Sequence, residues 1–136
     1  MTFSGVTVGE AMTPGILACP PDTPLRTVAK IMDEQRVHCI AVVGSADADA
    51  EPLVSGVVAD VDLVRAAVRG DLSATAGELA VAPAVSVEAS TPLPEAGALM
   101  ISSAVQHLVV MAPESARPIG VLSSLDLVTA IAAADE

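Results

Sequence analysis

The segment GVVADVDLV at residues 56–64 returns as GVLSSLDLV at residues 120–128, which is 64 positions later. Upstream of these segments, residues 23–25 and 91–93 both read TPL, 68 positions apart. Matches that occur in the same order along the chain indicate an internal repeat. The 136 residues therefore divide into two copies of one unit, residues 1–70 and residues 71–136.

Each copy has the same predicted order of elements: a short strand, a helix, two strands and a second helix. The Thr-Pro pairs that begin at Thr23 and Thr91 predict helix starts, because a threonine hydroxyl caps free N–H groups and proline suits the first helical turn. Apolar residues at helical spacing follow each pair, and runs rich in β-branched residues then predict strands. The predicted strands are residues 37–43, 53–59, 105–111 and 118–122.

The predicted fold class is α+β, with two β-α-β-β-α repeats packed sheet to sheet about a pseudo-twofold axis. A unit of about 60 residues is marginally stable alone, so the two copies are expected to pack sheet against sheet into one body. This pairing would create two equivalent clefts. The composition is 52% hydrophobic, with Phe3 as the single aromatic residue. So large an apolar excess predicts self-association through helix faces, as a homodimer.

Charge limits the classes of partner. Six Lys and Arg against seventeen Asp and Glu give a net charge of −11, which repels nucleic-acid backbones. The first ten residues contain no Lys or Arg, unlike a secretory signal, and no apolar run reads as a membrane span; we expect a cytoplasmic protein. Cys19, Cys39 and the two histidines follow no metal-binding spacing, which predicts buried thiols, with a disulfide as the alternative, and no metal site. The acidic residues 47–51 predict a solvated loop.

Several segments together resemble a pair of CBS domains, the arrangement called a Bateman module. They are VGEAMTP at residues 8–14, the two TPL helix starts, the strands VHCIAVV and VQHLVVM, and the segments that contain Asp62 and Asp126. The resemblance extends from about residue 8 to residue 131 and leaves no stretch of this sequence for an enzyme or channel domain. It therefore implies a stand-alone CBS pair.

The resemblance implies a regulatory module rather than an enzyme, with no catalytic residues and no required cofactor. CBS pairs commonly bind adenosine derivatives such as AMP, ADP, ATP or S-adenosylmethionine in clefts between the repeats, and a partner protein reads the change. The implied pattern is glycine, an apolar residue, any residue, Ser or Thr, two variable residues and Asp. The carboxylate can accept both hydroxyls of a ribose, while the Ser or Thr hydroxyl and the helix start face a phosphate.

The two copies differ in this pattern. The second copy keeps Ser123 and Asp126, whereas the first has Ala59 instead of a hydroxyl and gains a second acid, Asp60. Because like charges near a phosphate are unfavourable, the Asp126 cleft is expected to be the better nucleotide site and the Asp62 cleft the weaker one. By analogy with the family, the residues expected around the Asp126 cleft are Asp126, Ser123, Val121, His107 and Gln106 from the second copy and Thr13, Leu17, Val37 and His38 from the first.

The resemblance also suggests how a phosphate would be held. His107 could approach it as a hydrogen-bond donor or partial cation. Phosphate-binding members often carry arginines near the first core strand or the helix start, and Arg36 and Arg65 are the candidates in the first copy. The second copy has Ala104 and Thr129 at the equivalent positions, which argues against anchoring of a long phosphate chain there.

Each site residue also has a purely structural interpretation. Ser123 and Asp126 form the pattern of a helix capping box, which needs no ligand, and Asp62 can be a simple helix-start acid. His38 and His107 can be ordinary hydrogen-bonded strand residues. The functional alternative to a nucleotide sensor is a ligand-free structural or adaptor module whose apolar helix faces bind a partner.

Overall fold

The computed structural model describes residues 2–44, 53–80, 84–113 and 117–134. The acidic stretch at 47–51, expected to be a solvated loop, lies outside these ranges. After a short 3-10 helix at Phe3–Gly5, the elements in chain order are α1 (Val8–Ala11), β1 (Thr13–Pro14), β2 (Ala18–Cys19), α2 (Leu25–Gln35), β3 (Cys39–Gly44), β4 (Leu53–Ala59), α3 (Asp60–Val68), α4 (Ala76–Leu79), β5 (Ser86–Glu88), α5 (Leu93–Ser103), β6 (His107–Met111), β7 (Pro118–Ser123) and α6 (Ser124–Ala133).

The predicted α+β class and the order of elements are confirmed in both copies. The first copy contains β2, α2, β3, β4 and α3, and the second contains β5, α5, β6, β7 and α6, in the expected strand-helix-strand-strand-helix order. Helices α2 and α5 both end at a residue in the left-handed conformation, Arg36 and Ala104, each with φ of 55°. The two copies therefore share a helix-ending backbone conformation as well as sequence motifs.

The helix starts differ from the prediction in one respect. Pro24 and Pro92 stand at the N-cap positions of α2 and α5, and neither helix receives a side-chain cap there. The Thr23 hydroxyl, which was expected to cap α2, instead donates a hydrogen bond to the Pro20 carbonyl at 2.7 Å. Because this hydroxyl satisfies the preceding turn, it is turned away from the free N–H groups of the helix.

Contacts divide the chain into two compact units. Unit 1 consists of Met1–Ile16 together with Val85–Glu136, and unit 2 is Leu17–Ala84. The units thus cross the boundary between the sequence copies, since the first sixteen residues fold with the second copy and residues 71–84 fold with the first. Unit 1 is discontinuous in sequence, whereas unit 2 is continuous.

Unit 2 is built on a three-stranded sheet in the order β2-β3-β4. Strand β2 is parallel to β3, and β4 is antiparallel to β3 with Cys39 opposite Ala59. The buried residues of its main cluster come from the sheet and from α2 and α4; they are Cys19, Val28, Met32, Ile40, Val42, Val58 and Ala76. The register places the carboxyl end of β4 at the amino end of β3, where α3 begins.

Unit 1 is built on a four-stranded sheet in the order β1-β7-β6-β5. Strands β6 and β7 are antiparallel, β5 is parallel to β6, and β1 is antiparallel to β7 at the edge. The buried cluster of this unit contains Val8, Leu93, Ala96, Met100, Leu108, Val110 and Leu122. The buried residues of both clusters are aliphatic or sulfur-containing, and the single aromatic residue, Phe3, packs against the unit 1 cluster.

Within the described ranges, no helix combines the length and apolar character needed to cross a lipid bilayer.

Candidate functional site

The candidate site in unit 1 lies where β7 ends and α6 begins. Ser123 is the N-cap of α6, and its Oγ accepts a hydrogen bond from the Asp126 N–H at 3.3 Å. In return, Asp126 Oδ2 accepts from the Ser123 N–H at 2.8 Å. These reciprocal bonds are the capping box that the Ser-x-x-Asp pattern predicts, and they fix the direction of the Asp126 carboxylate.

The second oxygen of the Asp126 carboxylate remains available. Among the described residues, Asp126 Oδ1 accepts no hydrogen bond, and no cation is paired with this carboxylate. The side chain is half-buried rather than fully exposed. A fixed, partly desolvated acceptor with an open position is suited to bind the hydroxyl groups of a ligand.

Two further elements border this junction. His107 in β6 stands opposite Ser123 in β7, and the Gln106 carbonyl accepts a hydrogen bond from the Ser124 N–H at 2.9 Å. Gln106 is exposed and His107 is half-buried. The carboxyl end of β7 and the amino end of β6 therefore bring Gln106 and His107 to the start of α6.

Gly120 in β7 allows the edge strand β1 to approach the site closely. Gly120 is buried, and a Cβ on it would lie 2.6 Å from the Thr13 carbonyl oxygen and 2.7 Å from Met12 Sδ. Strand β1 can approach β7 this closely because position 120 has no side chain. The resulting pairing sets Thr13 opposite Val121, so the structure assembles Thr13, Val121, Gln106, His107, Ser123 and Asp126 in unit 1.

One residue near the site was missed by the sequence reasoning. Glu10 in α1 lines a surface pocket of about 310 Å³ together with Asp126, Thr129 and small apolar side chains. Its Oε1 accepts hydrogen bonds from the Thr7 N–H at 3.2 Å and the Thr7 hydroxyl at 3.0 Å. The signal was present in the sequence, because Thr7-x-x-Glu10 is itself a capping-box pattern.

The equivalent carboxylate in unit 2 has different partners. Asp62 is buried, with 7% of its surface exposed. Its Oδ2 accepts from the Ala59 N–H at 2.8 Å, and its Oδ1 pairs with the Arg65 guanidinium at 3.1 Å. Ala59 has no hydroxyl to complete the reciprocal bond. Both oxygens of Asp62 are thus engaged within the protein.

Asp60 and His38 form a second pair in unit 2. His38 Nδ1 lies 3.1 Å from Asp60 Oδ2, and both side chains are more than half exposed. Asp60 Oδ1 also accepts from the Val61 N–H at 2.8 Å. The extra acid of the first copy therefore acts as a helix-start residue that holds the His38 ring.

The other first-copy candidates also lie in unit 2. The Leu17 carbonyl accepts from the Ala41 N–H at 3.0 Å, and the Val37 N–H donates to the Met32 carbonyl at 3.2 Å. Of the two candidate phosphate anchors, Arg65 is committed to Asp62, and Arg36 lies 3.9 Å from Asp33 with 87% of its side chain exposed. The nine expected site residues are thus divided six to three between unit 1 and unit 2.

Cys39 is adjacent to His38 and carries an unreactive thiol. Burial, and secondarily the negative charge of Asp60, raises the pKa of Cys39 to about 12. Burial also raises the pKa of Cys19, and neither residue forms a disulfide. The nucleophilic form of cysteine is the thiolate, so these side chains are poorly suited to covalent chemistry at neutral pH.

Comparisons with known proteins identify both halves of the chain. A family model described as CBS domain matches residues 8–69 and again residues 76–133. No curated protein sequence matches significantly.

Solved structures resemble nearly the whole chain. CBSX2 in complex with AMP is 25% identical, with a TM-score of 0.69 over 93% of this chain and 96% of that one. A CBS domain protein from Pyrobaculum aerophilum complexed with AMP is 23% identical, with a TM-score of 0.76 and coverage of 93% and 98%. The CBS domain pair of protein MJ0100, in complex with 5′-methylthioadenosine and S-adenosyl-L-methionine, is 14% identical, with a TM-score of 0.77 and coverage of 91% and 94%.

Proposed function

Because the chain belongs to the CBS domain family and carries the domain twice, we propose that it is a non-enzymatic regulatory module for an adenosine-containing ligand. The ligand is AMP, ADP, ATP or S-adenosylmethionine, and its binding is read by a partner protein. The AMP and S-adenosylmethionine complexes of similar CBS proteins support this ligand class. The module functions in the cytoplasm as a homodimer.

The contrast between Asp126 and Asp62 carries the proposal. Asp126 uses one carboxylate oxygen to cap α6 and keeps the other open, whereas Asp62 uses both. A ribose diol needs an acceptor that the protein has not already filled. The Asp126 site is therefore the principal binding site, and the Asp62 site binds weakly or remains empty.

The rest of the unit 1 site suits a small nucleoside or nucleotide. The amino end of α6 offers free N–H groups and a partial positive charge, which favour a phosphate near Ser123. Thr129 stands where unit 2 has Arg65, so no fixed cation on α6 is added to this end. Aliphatic residues such as Val121 contact the adenine. The further phosphates of a long chain add little binding free energy, because α6 has no Lys or Arg to pair with them.

The proposal predicts a ligand-dependent rise in melting temperature. A ligand that binds only the folded state stabilises it by RT ln(1 + [L]/Kd), or about 2.7 kcal/mol at a hundredfold excess over Kd. We expect a shift with at least one of AMP, ADP, ATP and S-adenosylmethionine in differential scanning fluorimetry. Asp126→Ala should abolish the shift, measured against the variant's own ligand-free melting temperature, and Asp62→Ala should preserve it.

Two results would contradict this assignment. If none of the four ligands moves the melting temperature at millimolar concentration, the sensor function is wrong and a ligand-free adaptor takes its place. If Asp62→Ala and Asp126→Ala reduce the shift equally, the ranking of the two sites is wrong. Asp126→Asn is the accompanying variant, because its amide oxygen can still cap α6 while the negative charge is lost.

The second candidate function is a structural or adaptor module without a ligand. It is favoured by large apolar side chains that remain exposed on the helices, including Val64, Val68 and Val128. Exposed apolar surface on a folded domain generally marks a site of association. The two functions are compatible if the association surface and the ligand site are separate.

A further inference from the structure

The pocket that Glu10 and Asp126 share is acidic, and its described lining residues include no Lys, Arg or His. The others are Thr129 and small apolar side chains. Glu10 Oε1 accepts from Thr7, whereas Glu10 Oε2 accepts no hydrogen bond within the described part of the chain. The single Lys or Arg of unit 1, Arg117, precedes the amino end of β7, and Asp126 lies beyond the carboxyl end. The strand between them spans roughly 20 Å, so Arg117 is too distant to neutralise the pocket.

The internal repeat has two arginines at positions where this pocket has none. The shift of 64 residues places Arg65 in α3 and Arg69 at its carboxyl end at the positions of Thr129 and Ala133, which both line the pocket. Both arginines are exposed. Unit 2 therefore has two cations on the helix face that borders the pocket in unit 1.

The ion pair of Asp62 and Arg65 shows where this repeat binds a cation. Asp62 Oδ2 accepts from the Ala59 N–H and Asp126 Oδ2 accepts from the Ser123 N–H, each at 2.8 Å. The same capping bond therefore holds both carboxylates at their helix starts. The remaining oxygen of Asp62 binds the Arg65 guanidinium at 3.1 Å, whereas no described residue supplies a cation to Asp126. One copy thus contains its counter-charge, and the other leaves that charge to be supplied from outside.

Size and charge select the occupant of the pocket. Two carboxylates repel a phosphate and attract a positive charge. The volume of about 310 Å³ suits part of a small organic ligand, and no three metal-binding side chains come together in the described ranges. An organic cation therefore fits better than a metal ion. The phosphate position proposed near Ser123 is a different place, since Ser123 does not line this pocket.

We propose that Glu10 makes the unit 1 site selective for adenosyl ligands with a positively charged 5′ substituent, such as the sulfonium of S-adenosylmethionine. This inference rests on the proposed function and narrows its ligand class. The ribose binds at Asp126 Oδ1, and the substituent enters the pocket towards Glu10 Oε2. There it provides the positive charge that Arg65 and Arg69 provide in unit 2.

The test compares S-adenosylmethionine with S-adenosylhomocysteine, which lacks only the methyl group and the positive charge of the sulfonium. Isothermal titration calorimetry on the full chain should show about fivefold tighter binding of S-adenosylmethionine, the upper range for a partly exposed ion pair. Glu10→Gln should reduce this preference to less than about twofold, because the amide can keep the capping bond to Thr7 but has no charge. Glu78→Gln is the matched control, since Glu78 is the equivalent of Glu10 at a shift of 68 residues and folds in unit 2; it should leave the preference unchanged.

A second measurement needs no variant and keeps the test valid if Glu10→Gln fails to fold. Raising NaCl from about 50 mM to about 500 mM should weaken the binding of S-adenosylmethionine to the wild type, because salt screens the attraction between charges. Adenosine has no charge, so its affinity should stay the same. An equal response of the two ligands would contradict a role for charge in the pocket.

Three further outcomes would overturn the proposal: equal affinities of the wild type for the two adenosyl ligands, a preference that survives Glu10→Gln, or one that is lost equally in Glu78→Gln. Adenosine and AMP, titrated into the same proteins, report separately on the proposed function. If they bind while the preference is absent, the charge selectivity is wrong and the proposed function stands. If none of the four compounds binds, the proposed function itself is wrong.

Discussion

Two aspartates at equivalent repeat positions differ in availability because of a residue three positions further along. Arg65 pairs with Asp62 at 3.1 Å in α3, whereas Thr129 in α6 donates its hydroxyl to the Leu125 carbonyl instead. A guanidinium that fills a carboxylate oxygen competes with any ligand hydroxyl for that oxygen. At the scale of single residues, the side chain at position 129 leaves Asp126 Oδ1 without the guanidinium partner that Asp62 has.

Thr129→Arg should give Asp126 in unit 1 the arginine partner that Asp62 has in unit 2. The new guanidinium is expected to occupy Asp126 Oδ1 and to weaken binding of adenosine about tenfold or more, since a hydrogen bond to a charged group contributes roughly 1.5–3 kcal/mol. Adenosine is the appropriate probe because it has no phosphate for the added cation to attract. Isothermal titration calorimetry measures the effect, and unchanged affinity would argue against a ribose bound at Asp126.

The buried thiol of Cys39 is expected to make the free energy of unfolding decrease at alkaline pH. Its pKa is about 12 in the folded protein against an ordinary value of 9.0, so the unfolded chain loses this proton at lower pH than the folded one. The stabilisation is complete below pH 9 and is lost as the pH rises towards 12. Urea unfolding between these limits should show the decline, and Cys39→Ala should reduce it to the smaller contribution of Cys19. An identical decline in the variant would exclude Cys39 as its cause.

At the scale of elements, the site depends on how closely β1 lies against β7. The pairing of Thr13 with Val121 requires the missing side chain at Gly120, since a Cβ there meets the Thr13 carbonyl at 2.6 Å. The sequence reveals the glycine as part of a recurring pattern. It does not reveal which backbone approaches it, because Thr13 is more than one hundred positions away in the chain.

Gly120→Ala should therefore displace β1 and destabilise the protein. Forcing a methyl group into such a contact typically costs about 1–3 kcal/mol, which urea denaturation followed by circular dichroism can measure. Gly5→Ala serves as the control, because a Cβ at position 5 has only the Thr2 side-chain oxygen nearby, at 3.3 Å. Equal stability of the two variants would show that β1 moves at no cost.

Local elements were largely predictable from sequence, because they depend on neighbours in the chain. The strand predicted at residues 53–59 coincides with β4, and the predicted capping box of Ser123 and Asp126 is present. Features set by side-chain rotamers or by contacts between distant segments were not predictable in the same way. The Arg65 pairing that separates Asp62 from Asp126 depends on a side-chain rotamer, and the division of the chain into units depends on contacts between segments far apart.

At the scale of the whole molecule, charge is distributed unevenly over an acidic chain. Five of its six cations, Arg26, Lys30, Arg36, Arg65 and Arg69, lie in unit 2, and Arg117 alone lies in unit 1. Helices α2 and α3 of unit 2 therefore carry exposed basic side chains, whereas α5 and α6 of unit 1 carry none. The two copies of the repeat thus present helix surfaces of different charge to the solvent.

Unit 1 contains both ends of the chain, whereas unit 2 is continuous. The two units can therefore complete their folding at different times during biosynthesis. A nascent chain leaves the ribosome from its amino terminus, and domains fold as their residues become available. Unit 2 has all its residues once Ala84 has emerged, whereas Val8, 0% exposed in the finished protein, waits for the strands that follow Val85. On a translationally arrested chain long enough for Ala84, but not the strands that follow Val85, to have left the ribosome, a protease should cut the first sixteen residues and spare unit 2.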